Sequence, residues 1–202
     1  MTDQSQIDGF VKWAKARLDE MSAAAKALEE KLGKLDEQLH QEGEQTVVQV
    51  RQWVSDGEAK LKQVQEQGEA ALVEARPYVE KVWSDFETQA NRWVERAGNQ
   101  KETFDAQAKS QLASWQTMVD EFVQKASEVE KSSRADAEVE IERLKGEAKK
   151  AEAQLDELRK AGAASWSAMS KALDESRSAF EKEALASLDR IQQSKTGLGK
   201  QF

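Results

Sequence analysis

The sequence predicts an all-α fold: an elongated antiparallel long-helix bundle or coiled coil, built from two tandem helical-hairpin repeats. Three observations lead there. The 202 residues contain one Pro, ten Gly and no Cys, and 34% are charged. This is the composition of long helices rather than of a sheet-containing globule. The chain also repeats itself once without a gap. At an offset of 94 residues Phe10 falls on Phe104, Leu18 on Leu112, Leu61 on Leu155, Gly68 on Gly162 and Phe86 on Phe180. Non-identical pairs stay apolar: Val47/Ile141, Val50/Leu144, Leu72/Trp166, Val79/Leu173 and Val94/Leu188. Finally, apolar residues recur at helical spacings throughout, and no alternating run offers a strand.

The first element carries a heptad seam. Ala14, Leu18, Met21, Ala25, Leu28, Leu32, Leu35 and Leu39 step by four and three alternately, as helices packed pairwise require. The pattern lapses over 40–46, which predicts the first hairpin turn. It resumes with a period of eleven at Leu39, Val50, Leu61, Leu72, Trp83 and Val94, and at Trp53, Val64, Ala75, Phe86 and Ala97. Eleven residues make nearly three whole turns, so the stripe runs almost straight along its helix. It spans roughly 140° of the wheel, a width suited to one or two partner helices. Gly68 and Gly162 read as kinks or further turns. Pro77 predicts a bend near Arg76, because a mid-helix Pro costs about 3 kcal/mol.

Gly98-Asn99 reads as a helix C-cap and marks the repeat boundary. The units are then residues 1–98 and 99–195, with a flexible tail over 196–202. In the second unit the polar run Lys131-Ser132-Ser133-Arg134 predicts the matching turn.

Composition excludes several functions. A net charge of −8 and a pI near 5.0 leave no dominant basic face for nucleic acid. No segment approaches the roughly 18 apolar residues of a spanning helix. The opening residues 1–6 show neither the basic nor the apolar region of a secretory signal, so a cytoplasmic location is expected.

Catalytic chemistry has no foothold. His40 is the only histidine and forms Glu37-x-x-His40, but a helical di-iron site needs that motif twice. Ser and Thr have no His base to form a triad with. Carboxylates alternate with Lys and Arg at helical spacing, as in Glu152, Asp156 and Lys160, which is the pattern of solvated ion-paired faces. The reading is of a protein that is not an enzyme, with no catalytic residue, no cofactor, no metal and no small-molecule substrate.

What remains is the stripe itself. Trp53, Leu61, Leu72, Trp83, Phe86, Trp93, Trp115, Leu155, Trp166 and Phe180 are its candidate interaction residues. Tryptophans fill wide gaps in a bundle, or anchor helices at an apolar surface. Lys60 and Arg96 on one edge, with Arg51, Lys62 and Arg76 on the other, suit cations that snorkel around a surface-facing stripe.

The segments Lys109–Trp115, Ala137–Leu144 and Ala153–Ala161, followed by Gly162, Trp166 and Phe180-Glu181-Lys182, resemble small bacterial coiled-coil proteins labelled stress-response or uncharacterised. The similarity covers about 106–185 and extends more loosely to the first copy. More distantly, the eleven-residue period is similar to that of apolipoprotein-like helices and polyester-granule phasins. The resemblance implies a non-enzymatic helical scaffold or stress-associated interaction protein, self-associating or binding another helical protein. An alternative is an amphipathic coat on a membrane, lipid droplet or polyester granule. A third is a hydrophilic stress protectant, disordered when free.

Overall fold

A computed structural model describes residues 4–127, 131–161 and 166–197. They form six helices and no strand: α1 (Gln4–Leu32), α2 (Glu37–Gln67), α3 (Glu69–Ala97), α4 (Gln100–Ser127), α5 (Lys131–Ala161) and α6 (Trp166–Gly197). The all-α bundle is as expected, but the turns are not where the apolar lapses put them.

Residues 40–46 are helix, not a hairpin turn. The chain reverses earlier, over 33–36. Asp36 caps α2 by accepting from the Leu39 N–H at 3.0 Å, which supplies one of the orphan amides of a helix start. The lapse has a packing cause. Gly43 is buried, and a Cβ on it would run into Leu32 Cδ2 and lie 3.3 Å from Trp93. The apolar position is occupied by a glycine because α1 and α3 both come too close for a side chain. Gly57 repeats the device, where a Cβ would stand 2.7 Å from Leu18 Cδ2.

Gly68 is a turn and not a kink. Its φ of 68° and ψ of −133° lie in a region essentially open only to glycine. Its N–H closes α2 on the Val64 carbonyl at 2.9 Å, and α3 starts at the next residue. Trp93 to Thr46 and Arg96 to Glu42 then hold α3 antiparallel along α2. Gly98, left-handed at φ 64° and ψ 27°, ends α3 as the sequence predicts. α3 continues through Pro77, which lies inside it. Lys131–Arg134 open α5 rather than forming a turn, so the reversal before it falls outside the described residues, as does Gly162. Thr196 and Gly197 belong to α6.

Each 94-residue stretch therefore holds three helices where a hairpin of two was expected. Shifted by 94, Glu37–Gln67 falls on Lys131–Ala161, so α2 and α5 have the same limits under the offset. In each unit the outer two helices run parallel with the middle one reversed. Phe10 lies beside Arg76 and Arg17 beside Trp83, which sets α1 along α3. Gln111 reaches the Leu173 carbonyl and Trp115 stacks on Phe180, which sets α4 along α6. The first core joins Phe10, Leu18, Met21, Val50, Leu61, Leu72 and Phe86. The second joins Trp115, Met118, Phe122, Ile141, Leu144 and Phe180, and takes in Ala16 from α1.

The units meet through α1 and α3 on one side and α4 and α6 on the other. α1 touches α2, α3, α4 and α6. Its alanines at 14, 16, 24, 25 and 27 are all buried, and small side chains on several faces let one helix serve as the centre.

Two glycines should respond oppositely to alanine. Gly68→Ala forces a Cβ into the positive-φ turn and is expected to cost about 1–3 kcal/mol. Gly146→Ala, on α5 with nothing within 4 Å of a new Cβ, is expected to gain about 0.5–1 kcal/mol from helix propensity. Urea unfolding of the two variants checks both signs.

Candidate functional site

The stripe residues do not form an open surface. Leu61, Leu72, Trp83, Phe86, Trp93, Trp115, Leu155, Trp166 and Phe180 are buried, and Trp53 packs partly buried against the first core. They divide among separate clusters. Leu61, Leu72, Trp83 and Phe86 belong to the first core, and Trp115 and Phe180 to the second. Leu155 and Trp166 join Phe104, Met169 and Val94 at one end of the bundle. Trp93 closes on Leu28, Leu32 and Val47. Each indole N–H that points into the protein at these ends has a partner: Trp93 donates to Thr46 Oγ1 and Trp166 to Asn91 Oδ1, both at 2.5 Å.

The chemically distinctive place is the seam between the units, and no sequence pattern pointed to it. Arg177 of α6 inserts between α1 and α3. It donates to both Glu20 carboxylate oxygens, at 3.2 Å and 2.5 Å, and to Asp174. One turn away, Arg17 forks onto Glu181 at 2.5 Å and 3.2 Å. Trp83 lies between the two guanidinium groups, 5.0 Å from that of Arg17 and 4.6 Å from that of Arg177. The Glu20 and Arg177 side chains are only 1% and 5% exposed. Charges this deep need full pairing, and two-pronged Arg–carboxylate contacts provide it.

The electrostatics follow from burial against pairing. Loss of water pulls the Arg177 guanidinium down, but Glu20 and Asp174 outweigh this and hold it above its ordinary value. The Glu20 carboxyl is raised by burial against the pull of Arg177. Glu181 is likewise raised by burial, with Arg17 opposing. Glu87 on α3 is raised by burial and then by Asp174. It faces a cavity of about 130 Å³ shared with Asn91, Gln107, Trp166 and Asp174.

Under the offset, Arg17 corresponds to Gln111 and Glu20 to Ser114, while Trp83 corresponds to Arg177 and Glu87 to Glu181. Apart from the shared Glu87/Glu181 position, the seam is thus polar through residues on which the copies disagree. The signal that could have found it was the substitution of Trp83 by Arg177 in an otherwise apolar skeleton.

His40 has a structural place. Its Nδ1 donates to the Leu32 carbonyl at 3.0 Å, tying the start of α2 to the end of α1. That bond comes first in raising its pKa, and the Glu44 carboxylate adds to it. Among the described residues no group of three or more His, Cys, Asp or Glu side chains is placed to hold a metal ion. No helix among them is long and apolar enough to cross a membrane. Compared with known proteins, the chain matches no family model, no curated protein and no solved structure.

Proposed function

We propose that this chain is a non-enzymatic helical scaffold or stress-associated interaction protein of the bacterial cytoplasm. It works through helix-on-helix association with a second copy or another helical protein. The observation that carries this reading is the fate of the stripe: nine of its ten singled-out residues are buried against other helices of the same chain. Tryptophans built to anchor at lipid would be expected on the outside of the closed protein; these close the bundle instead. The stripes then fix a rigid body, and the charged outer helix faces, laced by pairs such as Arg51–Glu29 and Lys81–Asp85, present it to partners.

A second reading has its own support. A seam held by ion pairs rather than by apolar packing alone separates at less cost, because its charges regain water on opening. Opening between the units would bare the inner faces of α1 and α3, as a coat for an apolar surface requires.

Intrinsic tryptophan emission discriminates the two. The scaffold predicts blue-shifted emission in buffer that vesicles leave unchanged. The coat predicts the same blue emission in buffer but its quenching by vesicles with brominated acyl chains, as opened helices lay their tryptophans against lipid; that quenching sinks the scaffold.

A further inference from the structure

The two units do not meet equally well along their length. At one end Trp166 crosses from α6 to Asn91 on α3 and closes the space between them. At the other end Gly9–Trp13 of α1 and Arg76–Glu80 of α3 line one side of a gap, with Met118–Phe122 of α4 and Glu181–Leu185 of α6 on the other. An open groove of about 440 Å³ results, within the roughly 300–1,000 Å³ typical of small-molecule sites. Phe10, Trp13, Met118, Phe122, Ala184 and Leu185 line it. α1 and α6 are in direct contact within the lining, where a Cβ on Gly9 would stand 3.0 Å from Leu185 Cδ2.

Four charged residues share the lining, and two are engaged elsewhere. Lys12 pairs with Glu121 at 2.5 Å, and Glu181 is held by Arg17. That leaves Arg76 and, one turn along α3, the exposed Glu80. No carboxylate among the described residues lies within ion-pairing distance of Arg76, whose guanidinium sits 5.4 Å from the Phe10 ring centre. The Trp13 indole N–H also has no acceptor among the described residues.

The sign of the occupant's head follows from the rings. A cationic head would seek aromatic faces, but protein cations already cover those of Phe10 and Phe122, Arg76 over the first and Lys12 over the second. An anionic head can instead meet Arg76, which is held against the Phe10 ring of the lining, whereas Glu80 one turn along α3 would repel it, so the head sits on the Arg76 side of the groove. The apolar walls beneath suit an aliphatic tail.

We propose that this groove binds one single-chain amphiphile with an anionic head, a long-chain carboxylate, whose head pairs with Arg76 while its tail lies along Phe10, Trp13, Phe122 and Leu185. The site is a feature of the closed protein and does not depend on which partner the scaffold serves.

The test is calorimetric titration of the full chain with dodecanoate below its micelle-forming concentration. One equivalent per chain is expected, with roughly fourfold tighter binding for each added methylene until the groove is full. Arg76→Glu should weaken dodecanoate binding roughly tenfold and leave the uncharged alcohol of the same length unaffected. Arg51→Glu, an equal charge change on α2 away from the groove, should leave both unchanged. Circular dichroism confirms that the variants keep their helix. Absence of saturable binding overturns the proposal, and so does uptake of several equivalents that R76E and R51E bind alike.

Discussion

Truncating Trp115 to alanine is expected to lower the stability of the protein by about 3–5 kcal/mol. The indole is 1% exposed and stacks on Phe180 with ring centres 4.6 Å apart and planes 17° from parallel. Around it lie Met118, Val119, Phe122, Ile141 and Leu144, contributed by α4 and α5. Removing so large a ring leaves a space bounded by two rigid neighbouring helices, which relax only in part, so the lost contacts add to the lost burial. Trp53→Ala is the internal comparison. That side chain is only partly buried on α2, and its loss should cost about 1–2 kcal/mol, near the ordinary range for single substitutions. Urea unfolding gives both values. A W115A cost no larger than that of W53A would mean that the second core is not packed as described.

Arg177→Leu is expected to cost about 3–5 kcal/mol as well, for a different reason. The leucine leaves Glu20 at 1% exposure without its two-pronged partner, with Arg17 the remaining cation acting on it. It also removes the guanidinium face from Trp83. Glu20→Leu combined with Arg177→Leu should recover most of the loss, because no charge is then buried. The four-variant cycle isolates the coupling of the pair. If R177L unfolds at the same urea concentration as the parent chain, the seam is wet and the ion pairs are surface pairs worth little.

The two predictions mark the limit of what the sequence could tell. Helix content was legible because Ala, Glu, Lys and Leu dominate and a heptad run such as Leu28, Leu32, Leu35 and Leu39 has one structural meaning. The turn at Gly98 was legible because a left-handed C-cap has a residue signature. The first reversal was misplaced. Gly43 fills an inward position with no side chain at all, and a pattern of apolar residues sees only a gap. The informative signal was Gly33 followed by Asp36, a turn leading into an N-cap. Residues 53 to 97 at a spacing of eleven looked like one stripe on one helix, because the phase carries across Gly68 unbroken. A period records which side faces inward, and a sharp reversal at Gly68 need not disturb it.

The seam was the least legible part. Arg17 and Glu20 sit on α1 among Lys15, Asp19 and Lys26, and nothing local separates a buried charge from a solvated one. Their burial depends on α6 lying across them, which is a fact of tertiary arrangement. The stripe residues were legible as inward-facing, but what they face was not: the pattern leaves open partners in the same chain or in another, and the structure supplies them from helices of the same chain.

That arrangement has a consequence for the newborn polypeptide. Arg17 waits 164 residues for Glu181, and Glu20 waits 157 for Arg177. At ribosomal speeds of about 5–20 residues per second, that is on the order of ten to thirty seconds. Through this interval α1, α2 and α3 can already fold on one another while the first two charges of the seam stay hydrated at their surface. A half-made chain therefore carries its own solubilising groups on the face that would otherwise be sticky, and surrenders them to the interior only when the last helix arrives.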